Sequence, residues 1–389
     1  MSVARILPPA ALGIFGGGQL GRMTGMAARA MGYDVHVFDP DPECAAKAIA
    51  TSVTTAPYDD EVAAARFAER CAVLTLEIEQ VSVTTLNAAA RFAPVRPAPD
   101  AVHVVQDRGR QKTWLRLQGF PVGPFAVCDD EAAFVEAVAR LAPCIAKSTH
   151  GGYDGRGQVR LADADPAAAA AAAWRAIGGR RAIVEQFLDL ACEVSVMTAR
   201  AADGHVRQFP PSWNHHDHGI LTWSMAPAPV PVEVAREAAR LAEGITVGLG
   251  IVGVLAVECF VTKRGDVLVN ELAPRPHNTF HQTERGHQTS QFEQLVRAVC
   301  NLPLGSGDIV APSAIHNLLG DLWVQPGRRP DFTEAWAMPG VRVHLYGKPG
   351  ARAGRKMGHL SAVGDTPEMA RDLVRAAYRS VARSVGLAD

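Results

Sequence analysis

Runs of apolar residues in this chain alternate with amphipathic stretches, and the alternation begins at once. Ala11–Phe15 is a short apolar run of strand length. Gly16-Gly17-Gly18-Gln19-Leu20-Gly21 follows and turns into a helix predicted to reach Met31, capped by Gly32. Tyr33–Phe38 is a second strand ending at Asp39, which completes a βαβ unit, and Ala72–Ile78 is a later strand. Helical periodicity predicts helices from about Asp107 to Gly119 and over Ala132–Leu141, Glu233–Gly250, Gln291–Val299 and Pro367–Val385. Asp163–Gly178 reads as another, with Asp165 as cap, Pro166 in the first turn and a run of alanines. Strands are predicted at Cys144–Lys147, Ala182–Leu188 and Cys192–Thr198, with short ones in 305–389. Strands interleaved with helices indicate an α/β chain. Pro94–Pro99 and Leu302–Gly307 break the pattern and look like boundaries.

One stretch carries more chemistry than the rest. Leu255–Val261 and Val267–Leu272 are apolar runs around Thr262–Asp266, a turn-forming patch containing Gly265, and together they predict a hairpin. If Thr262 pairs with Val267, Glu258 stands opposite Glu271 on the same face. Two carboxylates roughly 5 Å apart repel by about 3–4 kcal/mol at an effective dielectric near 20. A cation between them removes that cost, and hard oxygen ligands shared with phosphates favour Mg²⁺. Arg275, His277 and Asn278 follow directly, crowding anion binders and hydrogen donors beside the presumed ion. Two solvated surface glutamates are the alternative, since a one-residue slip of register would separate them.

Composition narrows the class. With 389 residues, 48% of them hydrophobic and 20% charged, the chain is long enough for two or three ordinary globular domains. A net charge of −1 gives no reason to expect nucleic acid or a membrane surface as partner. No apolar run approaches membrane-spanning length, and the N-terminus lacks the pattern of a signal peptide. Seven scattered cysteines, never in CxxC spacing, read as reduced structural thiols in a cytoplasmic enzyme.

Several loops suit anions. Gly16, Gly18 and Gly21 satisfy GxGxxG and Asp39 ends the next strand, much as in a nicotinamide-binding βαβ unit; a lone GxGxxG is a weak signal, however, and a phosphate-binding or purely structural loop is the favoured reading. Glu77 and Glu79 end a strand, where α/β sheets carry ligands, although capping or surface carboxylates are the plainer reading. Arg108 and Lys112 share a helix face, which would otherwise be solvated. Lys147 ends a strand before His150-Gly151-Gly152-Tyr153-Asp154-Gly155-Arg156-Gly157-Gln158, a glycine-rich flap whose amides could cover phosphates, without Walker spacing. Glu185 and Glu193 lie in strands that are either solvated edges or walls of a nucleotide cleft around Phe187–Leu188. Trp213–His218 holds three histidines, read as a wet loop rather than a zinc site. Tyr346–Gly350 and Gly354–His359 interleave glycines with Lys348, Arg355 and Lys356, as a phosphate pocket or a basic surface hairpin.

Six motifs in order resemble the ATP-grasp superfamily, and within it the 5-(carboxyamino)imidazole ribonucleotide synthases. They are GGGQLGRM at 16–23, TLEIEQV at 75–81, GGYDGRGQ at 151–158, NHHDHGIL at 214–221, NELAPRPHN at 270–278 and YGKPGARAGRKMGH at 346–359. The resemblance covers nearly the whole chain. It implies a Rossmann-like N-terminal domain over 1–106, an α+β ATP-grasp domain over 107–303 with a mobile flap subdomain at about 122–190, and a small C-terminal domain over 304–389. It further implies a ligase: bicarbonate attacks the γ-phosphate of ATP to give carboxyphosphate, whose carboxyl group passes to the amine of 5-aminoimidazole ribonucleotide. Another ATP-grasp ligase with a different acceptor, or an NAD-dependent oxidoreductase, are the rival readings.

Site roles come with the resemblance. ATP would be held by Arg108, Lys147, Gly152, Gly155, Gln158, Glu185, Gln186, Phe187, Leu188, Glu193, His216 and Asn270. Glu258 and Glu271 would carry one or two Mg²⁺ ions, with Mn²⁺ able to substitute. Arg275, His277 and Asn278 would seat bicarbonate, with Tyr153 and Asp154 of the flap also catalytic. Gln19, Leu20, Glu77, Tyr153, Asp154, Arg156, Lys348, Arg355 and Lys356 would bind the imidazole ribonucleotide. The partners implied are small-molecule substrates and a second copy of the chain in a homodimer. Three departures stand out: Arg156 where the family more often has Lys, Ser148-Thr149-His150 in place of a Thr-Arg-type pair, and Trp213 where Glu is usual.

Overall fold

Every apolar run read as a strand in the first hundred residues enters one parallel sheet. The computed structural model describes residues 4–150, 157–162 and 166–387. In the sheet, Ser52–Thr55, Asp34–Asp39, Ala11–Phe15 and Val73–Leu76 lie side by side in that order. The helix Gln19–Ala30 leaves the first strand through Gly16, whose φ of +97° an L side chain would strain. Pro94–Pro99 is no loose linker: Val95 bridges Leu74 in parallel, and Pro99 opens the helix Pro99–Gln106.

The middle of the chain builds a second, antiparallel sheet. Its order is Val267–Ala273, Gly253–Thr262, Leu190–Arg200, Ser212–Asp217, Ile220–Ala226, Ser313–Leu319, Lys356–Val363 and Val341–Leu345, with Val206–Gln208 also paired to Leu190–Arg200. The amphipathic helix Val232–Gly248 buries Leu241 and Ile245 against Leu255 and Val257 on one face. On the other, Gln291–Val299 buries Leu295 and Val299 in a core that also holds Leu12 and Ile14 of the parallel sheet. That shared core seats the first sheet against the second. The C-terminal strands extend the same sheet, because Trp223–Ala226 pairs with Ser313–His316, and the helix Pro367–Ser384 covers them. Leu302–Gly307 is likewise anchored, with Gln294 bonded to both backbone groups of Gly305.

A third sheet, Phe125–Cys128, Ala182–Gln186, Cys144–Ser148 and Gln158–Leu161, packs under the helices Glu131–Leu141 and Pro166–Ala176 around Phe134 and Trp174. Strand and helix ends agree with the predicted ones to within a few residues. The expected cap Asp165 lies outside the described residues.

Three readings are corrected. The histidine stretch is not a wet loop but an interior strand, Ser212–Asp217, turning at His218 and Gly219. Glu193 is on no edge, since Leu190–Arg200 is paired on both sides. The hairpin register near its turn is Val261 to Val267 rather than Thr262 to Val267. A bulge between Glu258 and Cys259 then shifts the ladder by one residue and restores Glu258 opposite Glu271. Asn270 is the extra residue that the bulge accommodates.

Candidate active site

The three sheets converge on two facing carboxylates. Glu258 is largely buried and faces His277, whose Nε2 lies 3.6 Å from Glu258 Oε1. Burial, and then the neighbouring Glu271, push the Glu258 carboxyl up to about 7. Burial also pulls Glu271 up, but Arg108 and then Lys147 overcome it and hold Glu271 below the usual carboxylate range. Arg108 Nη2 donates to Glu271 Oε2 at 2.5 Å. One acid of the pair is thus compensated by protein and the other is not.

The donor set suits a hard divalent ion. Glu258 and Glu271 offer carboxylate oxygens, and the buried Asn270 beside them keeps an Oδ1 with no hydrogen-bond donor. An orphaned amide oxygen next to an uncompensated acid is an environment short of positive charge.

Beside this pair the helix Arg108–Leu117 sends two cations inward, four residues apart on one face. Lys112, for which a solvated face was the alternative reading, is only 2% exposed. Its Nζ lies 3.1 Å from Glu185 Oε1 and 3.1 Å from the Val269 carbonyl, while Lys147 holds Glu185 Oε2 at 2.7 Å. Burial opposes ionisation of Glu185, but Lys147, Lys112 and Arg108 together keep it far below its usual range. Gln158 pairs with Lys147 across neighbouring strands. Past Gln186, the Phe187 amide donates to the Pro143 carbonyl, so of that pair Leu188 has the amide with no acceptor among the described residues; the Phe187 ring stacks under Arg160. Glu193 Oε2 sits 3.0 Å from His216 Nδ1. Burial lowers His216, but Glu193 more than reverses that and raises its pKa.

On the other side opens a cavity of about 890 Å³ between the parallel sheet and the C-terminal loop. Gln19, Leu20, Glu77, Arg275, Asn278, Lys348, Arg355 and Lys356 all line it. Arg275 Nε lies 2.7 Å from Glu79 Oε1, a link between the first and second sheets. His277 is held neutral, its pKa driven well down by burial and then by Arg275. Lys348 Nζ donates to Gln19 Oε1 at 2.5 Å. Arg355 turns back on its own loop, donating to the Pro349 and Gly350 carbonyls. Gly152, Tyr153, Asp154, Gly155 and Arg156 lie outside the described residues.

The glycine loop does not offer a free anion nest. Glu77 accepts from the amides of Gly18, Leu20 and Gly21 at 2.7, 3.0 and 3.0 Å, and Asp39 Oδ2 accepts from Gly17 at 2.6 Å. The chain's own carboxylates stand where a pyrophosphate would in a nicotinamide site. Asp39 also accepts from Tyr58 Oη at 2.8 Å. Sequence reasoning noted Lys112 beside Arg108 and Glu79 beside Glu77 without giving either a role, and it missed Tyr58 and Arg352, which line the cavity. Only the basic run around Lys348 could have flagged Arg352.

The chain matches three family models: a ribonucleotide synthetase preATP-grasp domain over residues 10–106, an ATP-grasp domain over 113–292, and a phosphoribosylaminoimidazole carboxylase C-terminal domain over 313–373. It is 40% identical over 367 residues to the N5-carboxyaminoimidazole ribonucleotide synthase of Brucella melitensis, covering 93% of this chain and 99% of that one. Identity to the enzyme of the same name from Bacillus subtilis is 36% over 362 residues, covering 93% of both chains. Among solved structures, the ADP complex of an N5-carboxyaminoimidazole ribonucleotide synthetase superposes with a TM-score of 0.90 at 35% identity, over 97% of this chain and 98% of that one. The Aspergillus clavatus N5-carboxyaminoimidazole synthase in complex with ADP and 5-aminoimidazole ribonucleotide gives 0.87 at 28% identity, over 96% and 99%.

Proposed function

From the premise that this chain belongs to the N5-carboxyaminoimidazole ribonucleotide synthases, we propose how its residues divide the reaction. The protein is an ATP-dependent carbon–nitrogen ligase of purine biosynthesis that carboxylates 5-aminoimidazole ribonucleotide. It uses ATP and a divalent metal ion, and we take that ion to be Mg²⁺, held by Glu258 and Glu271 with Asn270 alongside. When bound, the ion supplies positive charge between phosphate oxygens and offsets the charge that develops in phosphoryl transfer.

The residues act by position and charge. Arg108 and Lys147 are cations already held next to Glu271 and Glu185, ready to exchange those partners for phosphate oxygens. Glu193, oriented by His216, faces the nucleotide with Gln158, Gln186, Phe187 and Leu188. Arg275, fixed by Glu79, neutral His277 and Asn278 seat bicarbonate against the γ-phosphate. Attack by a bicarbonate oxygen forms a P–O bond and releases ADP. The amine of the acceptor then bonds the carboxyl carbon of carboxyphosphate, expelling phosphate and losing a proton. Positioning lowers both barriers. Gln19, Leu20, Lys348, Arg355 and Lys356, with Arg352, surround the acceptor and its 5′-phosphate. Glu77 serves them by holding the loop Gly18–Gly21, and Tyr153, Asp154 and Arg156 are assigned to the same substrate from the flap.

The observation that carries this reading is the pair Glu258 and Glu271, one compensated and one not, at the junction of the cation cluster and the acceptor cavity. ADP release should require Mg²⁺ and bicarbonate and rise strongly with 5-aminoimidazole ribonucleotide. A requirement for formate or an amino acid instead would move the chain to another ATP-grasp branch. We further propose domains at 1–106, 107–303 with a flap subdomain at about 122–190, and 304–389, in a cytoplasmic homodimer, which light scattering tests. No helix among the described residues is long and apolar enough to cross a membrane.

A further inference from the structure

Hydrogen-bond direction around Asn278 is determined from the backbone outward. Gln291, fully buried, accepts at Oε1 from the His277 amide at 2.8 Å, and its Nε2 donates to the His277 carbonyl at 3.0 Å. Backbone donors and acceptors cannot exchange roles, so the Gln291 amide has one orientation. The same Nε2 lies 3.4 Å from His281 Nδ1, which must therefore accept. His281 is wholly buried and held neutral by that burial, so its single proton is on Nε2. Nε2 stands 3.0 Å from Asn278 Oδ1 and donates to it, with the Tyr346 hydroxyl oxygen 3.4 Å away as a more distant second acceptor, since that hydroxyl's own proton goes to His359 Nδ1 at 2.8 Å. The His281 ring is held by stacking on His359, centroids 4.5 Å apart.

An asparagine whose oxygen is engaged by a donor turns its two N–H groups the other way. Asn278 lines the cavity, and no group among the described residues accepts from its Nδ2. We propose that His281, set by Gln291, is a positioning residue that fixes the Asn278 amide with its donors toward the cavity. That wall of the seat then selects the acceptor oxygens of a small oxyanion. The inference rests on reading Asn278 as part of the bicarbonate seat.

The relay and the seat can be tested apart. In protein labelled with ¹⁵N-histidine, the long-range proton–nitrogen pattern of His281, assigned by its disappearance in His281→Gln, should be that of a neutral ring protonated on Nε2. A proton on Nδ1 overturns the proposal. Gln291→Glu places an acceptor where Nε2 stood, so His281 should move its proton to Nδ1 and Asn278 should turn its oxygen into the cavity. Bicarbonate KM should then rise about tenfold or more, roughly the worth of one charge-assisted hydrogen bond, with ATP KM within about twofold of wild type. Gln291→Met, which removes the bias without reversing it, should fall between. Equal rises in the KM values of ATP, bicarbonate and acceptor in both variants would assign a packing role and overturn the relay. A moved proton with an unmoved bicarbonate KM leaves the relay standing and overturns the bicarbonate seat.

Discussion

Replacing Glu258 by Gln should make the metal-free protein more stable and the enzyme inactive. Glu258 sits opposite Glu271 in the ladder with its side chain 14% exposed, and its carboxyl is pushed from 4.5 up to about 7, first by burial and then by Glu271. Below the lower value the group is protonated in folded and unfolded chains alike and contributes no difference. Between the two values the folded chain keeps a proton that the unfolded chain releases, so rising pH favours unfolding. Above about 7 the whole cost stands, roughly 3 kcal/mol at about 1.4 kcal/mol per pH unit. Gln keeps the shape and removes the charge. Thermal unfolding of wild type and Glu258→Gln should therefore differ by several degrees in favour of the variant at pH 8, with the gap closing towards pH 5. Adding Mg²⁺ and ADP should reverse the order, since only the wild type has both carboxylates to hold the ion. A variant no more stable at pH 8 without divalent ion, or a gap that ignores pH, would refute the argument.

Three further outcomes follow from the same geometry. Glu271→Gln should leave nucleotide affinity within roughly tenfold yet abolish turnover, because a charged metal ligand is lost; wild-type turnover would deny Glu271 that role. Lys348→Ala should raise the acceptor's KM while leaving that of ATP alone, and an unchanged acceptor KM would place the 5′-phosphate elsewhere. Glu77→Ala strands three backbone amides at the first helix and should cost about 3 kcal/mol or more, read as a lowered Tm; an unaltered Tm would mean that water replaces the carboxylate without loss.

Much of the architecture is legible in periodicity, because buried strands and amphipathic helices must repeat at 2.0 and 3.6 residues. The helix Gln291–Val299 and the strand Ala11–Phe15 fall on their predicted bounds. Contacts between distant segments are not legible in that way. Nothing in the run of glycines tells that Glu77, 56 to 59 residues on, fills their amides, so a dinucleotide reading stays open beside the favoured one. Lys112 could pass for solvated because its partners Glu185 and Val269 come from other sheets. The carboxylate pair was found despite a mistaken turn register, since a bulge is a tertiary adjustment that alternation does not announce. His281 and Gln291 drew no attention, because both lie in the largely polar stretch 277–291, where nothing in the sequence tells which side chains are buried.

The seam where Ile220–Ala226 meets Ser313–Leu319 has a consequence for truncation. A chain ended shortly after residue 303 would keep every proposed nucleotide and metal ligand, yet leave the outer flank of that strand as a bare row of N–H and C=O groups. Such a flank recruits whatever extended peptide is nearest, usually another copy of itself. The C-terminal segment is therefore a built-in guard against self-association as well as one wall of the acceptor's pocket.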